Sequence, residues 1–137
     1  MKTILLLASL LLSSAAFAHT TVEIKVKPVV SGDVRVQRTV DRYSYNFGQV
    51  RLYTSQYVTY TLTNTGTTPM TFSQALIGGA GFDAYHNCTG AIQPNEKCSF
   101  EIIFQPMSEF ASSGRFILSF VEDLDIVVDV FGIGSRY

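Results

Sequence analysis

Apolar and polar residues alternate with period two along much of the chain. Val22, Ile24 and Val26 are interleaved with Glu23 and Lys25, and Val58, Tyr60 and Leu62 with Thr59 and Thr61. The same alternation marks Phe100, Ile102 and Phe104, then Phe116, Leu118 and Phe120, then Ile126, Val128 and Val130. Such a pattern puts every second side chain on one face, as a half-buried strand requires. Between the runs sit Asn64-Thr65-Gly66-Thr67-Thr68-Pro69, Gly78-Gly79-Ala80-Gly81, Gln93-Pro94-Asn95 and Ser112-Ser113-Gly114. Each reads as a turn, with glycine supplying positive φ and proline fixing its own. Beyond residue 18 no segment keeps a helical period over three turns, and Phe110-Ala111-Ser112 reads at most as one short turn. The pattern predicts an all-β chain: an antiparallel sandwich of about seven short strands, its two apolar faces packed together. Residues 19–42 are less regular and read as an extra N-terminal strand or hairpin packed on a domain at 43–137.

The first 18 residues stand apart. Lys2 precedes an apolar run from Ile4 to Leu12, and Ala16-Phe17-Ala18 closes on Ala-x-Ala. That is the layout of a signal peptide cut before His19. The run is shorter than the roughly 20 residues that span a bilayer, and no membrane span is expected elsewhere. The chain is therefore expected to be exported, to the periplasm or beyond. Export changes the reading of the cysteines, of which there are two. Outside the cytosol, cysteines close in sequence usually pair. A zinc site would want further ligands at short spacing, and a redox pair would more often be Cys-x-x-Cys. Cys88 and Cys98 are read as a disulfide across a Pro-Asn loop. Charge adds an exclusion: 10 basic against 11 acidic side chains give no basic face for nucleic acid. The basic residues gather before residue 52 and the acidic ones after it, which would make the module dipolar.

The order of motifs carries a resemblance. "YNFGQV" (45–50) is followed by "YVTYTLTNTGTTPMTF" (57–72), then by "GAGFDAYHNCTGAIQPNEKCSFEIIFQP" (79–106) and Gly114. This resembles the immunoglobulin-like domain of the abnormal-spindle/Hydin (ASH) family and of choice-of-anchor-D proteins, which are related to the major sperm protein fold. The corresponding positions are Phe47, Gly48, Val50, Leu62, Thr63, Asn64, Gly66, Gly79, Phe82, Cys88, Pro94, Cys98, Phe104, Pro106 and Gly114. The resemblance implies an immunoglobulin-like sandwich that binds or scaffolds, with no catalytic residues and no cofactor. Such domains often recur in tandem, whereas one copy is visible here. The expected function is a non-enzymatic protein-binding or structural module of the cell envelope, its partner an unidentified envelope or extracellular protein. Physical roles stand beside the family name. Asn64 and Gly66 suit a turn with left-handed conformations, and Pro106 ends a strand. Phe47, Phe82, Phe100, Phe104, Phe116 and Phe120 are core candidates.

Candidate chemistry is sparse. Tyr43, Tyr45, Tyr53, Tyr57 and Tyr60 crowd one third of the chain beside Arg42 and Arg51. Tyrosine and arginine carry binding hot spots. If Tyr60 faces inward, Tyr53, Tyr57 and Arg51 are the candidate binding residues. The competing reading is strand propensity alone. One alternative is copper: cleavage would leave His19 N-terminal, and its amine and imidazole with His86 would offer three nitrogens to Cu(II). A second alternative is a fimbrial-type subunit, a sandwich completed by a donated strand. Asp83 and His86 lack a Gly-x-Ser-x-Gly nucleophile elbow. Glu122, Asp123 and Asp125 read as a solvated hairpin tip, and Asn87-Cys88-Thr89 fits a glycosylation sequon.

Overall fold

A computed structural model describes residues 20–28 and 38–137. The expected leader and His19 lie outside the described residues. Nine strands follow in order: β1 (Thr20–Val26), β2 (Thr39–Arg51), β3 (Gln56–Asn64), β4 (Met70–Gly78), β5 (Phe82–His86), β6 (Ala91–Ile92), β7 (Lys97–Phe104), β8 (Ala111–Phe120) and β9 (Leu124–Ser135). They form a front sheet ordered β1-β3-β7-β5 and a back sheet ordered β2-β9-β8-β4-β6. The alternation read from the sequence is the packing. Val58, Tyr60 and Leu62 on β3, and Phe100, Ile102 and Phe104 on β7, all point inward. They meet Phe116, Leu118 and Phe120 of β8 and Ile126, Val128 and Val130 of β9. Of the six core phenylalanines expected, four are fully buried, while Phe47 and Phe82 are half-buried at the rim.

The middle of each sheet is antiparallel, as expected, but the N-terminal strands are not. β1 runs parallel to β3 in register Thr20↔Val58 to Val26↔Asn64. β2 runs parallel to β9 from Thr39↔Leu124 to Arg51↔Ser135. Strands that pair in parallel cannot be joined by a tight hairpin, and each of these reaches its neighbour from a distant part of the chain. β2 continues unbroken through residues 42 and 43. Its open edge is interrupted at Gly48, where φ is 71° and the register shifts between Asn46 and Gln49. The Asn46 Oδ1 accepts the Gly48 N–H at 2.8 Å. A bulge of this kind blunts an edge as a template for stray pairing. β9 of the same chain lies between β2 and β8, so the described residues do not form the open sandwich that a donated-strand subunit would need.

Three local expectations are corrected. Ser112-Ser113-Gly114 is no turn, and Phe110-Ala111-Ser112 forms no helical turn: Ala111 begins β8 and the strand runs through all three. Gly114 is there for closeness, since a Cβ would strike the Gly78 carbonyl and the Phe82 ring. Asn64 and Gly66 are not left-handed either, because the positive φ angles fall on Tyr53, Asn95, Asp123 and Gly48, Gly79, Gly81 and Gly90. Asn64 is a fully buried end of β3. Gly66 leaves room for Pro28, whose Cδ would stand 2.6 Å from an added Cβ.

Cys88 and Cys98 are bonded, with their Cα atoms 5.0 Å apart. Both are buried in the core cluster. The bridge fixes the β5–β6 excursion onto β7, helped by the Ser99 N–H donating to Asn87 Oδ1 at 2.7 Å. A Cys88→Ala/Cys98→Ala chain should lose roughly 3 kcal/mol in a denaturant melt, the loop-closure value for so short a ring.

Tyr60 gives a pH signature. Burial pushes its phenol up to about 12, and the neighbouring Tyr45 and Tyr43 add to the rise. An acid whose folded-state pKa is raised stabilises the fold below its unfolded value, and that stability is lost as pH rises past it. The loss should therefore fall between roughly pH 10, the free phenol value, and pH 12. Alkaline unfolding followed by circular dichroism should shift to higher pH in Tyr60→Phe.

Candidate binding face

Inward Tyr60 sets the phase of β3, so Tyr57 points outward three residues earlier. On that outer front face the register aligns Tyr57 with Ile103 and Asp83, and Thr59 with Glu101 and Tyr85. Tyr57, Tyr85 and Met107 expose 41%, 62% and 66% of their surface, which is unusual for large apolar side chains grouped on one face. Together with Phe82, Ile103 and Gln105 they line a shallow trough of about 370 Å³. Asp83 stands at its edge, its Oδ1 accepting the Ala84 N–H at 2.8 Å.

Of the three residues singled out from the sequence, only Tyr57 lines the trough. Arg51 ends β2 on the back sheet, and residues 52–55 carry the chain across to the front one. Tyr53 sits on that crossing with φ 64° and is 65% exposed. The crossing is rigid. The Tyr53 N–H donates to the Pro106 carbonyl at 2.9 Å, and Gln105 Nε2 donates to the Tyr53 carbonyl at 3.2 Å. The Arg51 carbonyl accepts from both Thr54 N–H (3.1 Å) and Thr54 Oγ1 (2.7 Å). Tyr85, Met107, Ile103 and Asp83 were missed by sequence reasoning. They converge only through the pairing of β3, β7 and β5.

The other candidates fall elsewhere. His86 ends β5, its ring centroid 4.9 Å from that of Phe72. Among the described residues no group of three or more His, Cys, Asp and Glu side chains is placed to hold a metal ion. The acids of the β8–β9 hairpin are engaged structurally. Arg38 pairs with Asp125 at 2.8 Å and Asp123 at 3.3 Å, and the Thr71 N–H donates to Glu122 at 2.7 Å. The Arg38 hydrogen bond holds the Asp125 carboxyl below its usual range. A second depression, about 470 Å³, lies on the outer back sheet around Gly79, Gly114 and Phe131. Its charges cancel internally, with Arg115 Nε 2.6 Å from Asp129. Among the described residues no helix is long and apolar enough to cross a membrane.

A family model described as HYDIN/CFA65/VesB-like, Ig-like domain matches residues 37–125. No curated protein sequence matches the chain. Among solved structures, the ASH/PapD-like domain 7 of human CEP192 is similar at TM-score 0.54 and 13% identity, over 70% of this chain and 83% of that one. The secreted serine protease VesC from Vibrio cholerae is similar at TM-score 0.53 and 17% identity, over 65% of this chain. A family 123 glycoside hydrolase from Clostridium perfringens is similar at TM-score 0.54 and 8% identity, over 69% of this chain. The likeness spans 21% of the VesC chain and 23% of the hydrolase chain. At these identities the three structures share the fold.

Proposed function

The chain belongs to the HYDIN/CFA65/VesB-like Ig-like domain family, and from that premise we propose that it is an exported, non-enzymatic protein-binding module of the cell envelope. One observation carries the reading: the exposed Tyr57, Tyr85 and Met107 grouped around half-buried Ile103 at the outer face of the front sheet. Tyrosine and methionine are both enriched at interfaces, and tyrosine supplies large contact area with few rotatable bonds. Export is supported by the expected leader, by the Cys88–Cys98 bond, and by the secreted nature of VesC. The division proposed for the chain is a leader at 1–18, an N-terminal extension at 19–42 that carries β1 and the start of β2, and the immunoglobulin-like domain at 43–137.

A photo-crosslinking residue placed at position 57 or 85 in the native host should give a discrete protein adduct. The same residue at Leu76, exposed on the back sheet, should give none. Equal adducts at 76, or none at 57 and 85, would overturn the reading.

A further inference from the structure

We infer that the front-face trough binds an extended, proline-rich segment of its partner carrying a basic residue, an inference that rests on the protein-binding reading above. The geometry comes first. Tyr57 and Tyr85 stand on β3 and β5, either side of β7, and are offset along the strands by two residues. Strands about 4.8 Å apart and a rise of about 3.4 Å per residue put their Cα atoms about 12 Å apart on a diagonal. A polyproline II turn advances about 9 Å, and tyrosine side chains leaning inward span the rest. Two aromatic walls at this spacing receive successive turns of such a helix, whose fixed backbone binds with little loss of entropy.

The lining selects the ligand chemistry. Between the walls the floor is the outward Ile103, with Phe82 and Met107 lining one end. Pyrrolidine rings bury well against such a floor. The site is on a sheet face, where backbone ladder bonds are already made between β3, β7 and β5. A ligand docking there cannot add a strand, and polyproline II needs no backbone partner. The one charged residue lining the trough is Asp83. Its carboxylate complements an arginine or lysine beside the prolines, and the aromatic faces favour the same cation. Its neighbourhood adds Glu101 on the adjacent strand and no basic side chain among the trough's lining residues.

The test uses the full processed chain and a synthetic oligoproline peptide ending in arginine, followed by calorimetry and by NMR shifts of the Ile103 and Gln105 amides. Saturable binding is expected, weakened about tenfold by Tyr57→Ala or by Tyr85→Ala. Asp83→Asn should weaken the arginine peptide about threefold, as for a partly exposed ion pair, and leave an arginine-free oligoproline unchanged. Binding equal to that of a peptide with every proline replaced by alanine would overturn the inference. So would protection of Tyr57 and Tyr85 by an unbranched oligosaccharide instead, or self-association of the chain through this face in sedimentation. If crosslinks at 57 and 85 persist in the host while the proline peptide fails to bind, the inference falls and the binding module stands. If the crosslinks are absent, the module itself falls.

Discussion

Asn64→Ala is expected to cost about 4 kcal/mol, because three backbone groups lose their partner at once and water has poor access to replace it. The side chain is fully buried at the end of β3. Its Nδ2 donates to the Thr68 and Ile92 carbonyls, each at 2.9 Å. Its Oδ1 accepts the Gly66 N–H at 2.9 Å. One amide thus ties the β3–β4 turn to β6, while its own backbone bonds Glu96 and Asn95 in the Cys loop. No other side chain of similar size offers two donors and an acceptor in this geometry. Asn64→Asp keeps the acceptor, loses both donors and buries a charge, so it should be no better. Thr61→Ala, on the outer side of the same strand, should stay within about 0.5 kcal/mol. Thermal melts followed by circular dichroism should show a fall of roughly 20 °C for Asn64→Ala. A loss below about 1 kcal/mol would mean that water satisfies the three groups and that the network is dispensable.

Asn64 also shows what the sequence could disclose. Its importance was legible from Asn-x-Gly before a polar turn, but the reason assigned was backbone conformation. The true reason depends on Ile92, 28 positions away, which no local pattern can report. Gly114 was misread the same way. A glycine after two serines looks like punctuation, yet it lies within β8 because Gly78 and Phe82 press against it. The strands read correctly, β3, β7 and β9 among them, are those whose inner residues face the core and whose outer ones face water. β4 was not read individually. Its register shifts between Phe72 and Gln74, which breaks the alternation that would announce it. The binding face followed suit. Tyr57 was legible because the burial of Tyr60 fixes the phase of β3. Tyr85 and Asp83 were not, because their proximity to Tyr57 is created by the β7 register on both sides. The family resemblance supplied the fold that joins these pieces. The face itself had to come from the structure.

Phe104→Ala should remove about 4 kcal/mol of stability, within the usual range for emptying a buried phenylalanine site, and should also reach the binding face. The ring is fully buried. It stacks on Phe82 with centroids 4.6 Å apart and tilts against Phe47 at 5.7 Å. Its far side rests on Gly132, where any Cβ would collide with the ring. Phe82 is at once the stacking neighbour of Phe104 and, at the start of β5, a residue lining one end of the trough, so a cavity beside its ring lets β5 shift. Two measurements separate this from general loosening. Gly132→Ala should cost about 1–3 kcal/mol by overpacking in the wild-type chain. In Phe104→Leu the same substitution should cost measurably less, since the two share one space and their effects cannot add. At the surface, Tyr85→Ala should abolish most crosslinking at 57 while melting within about 0.5 kcal/mol of wild type. Phe104→Ala, assayed well below its lowered melting temperature, should weaken both together. Unchanged crosslinking at position 57 in the folded Phe104→Ala chain would show that the face is held by the β3–β7–β5 ladder alone and owes nothing to the aromatic stack beneath it.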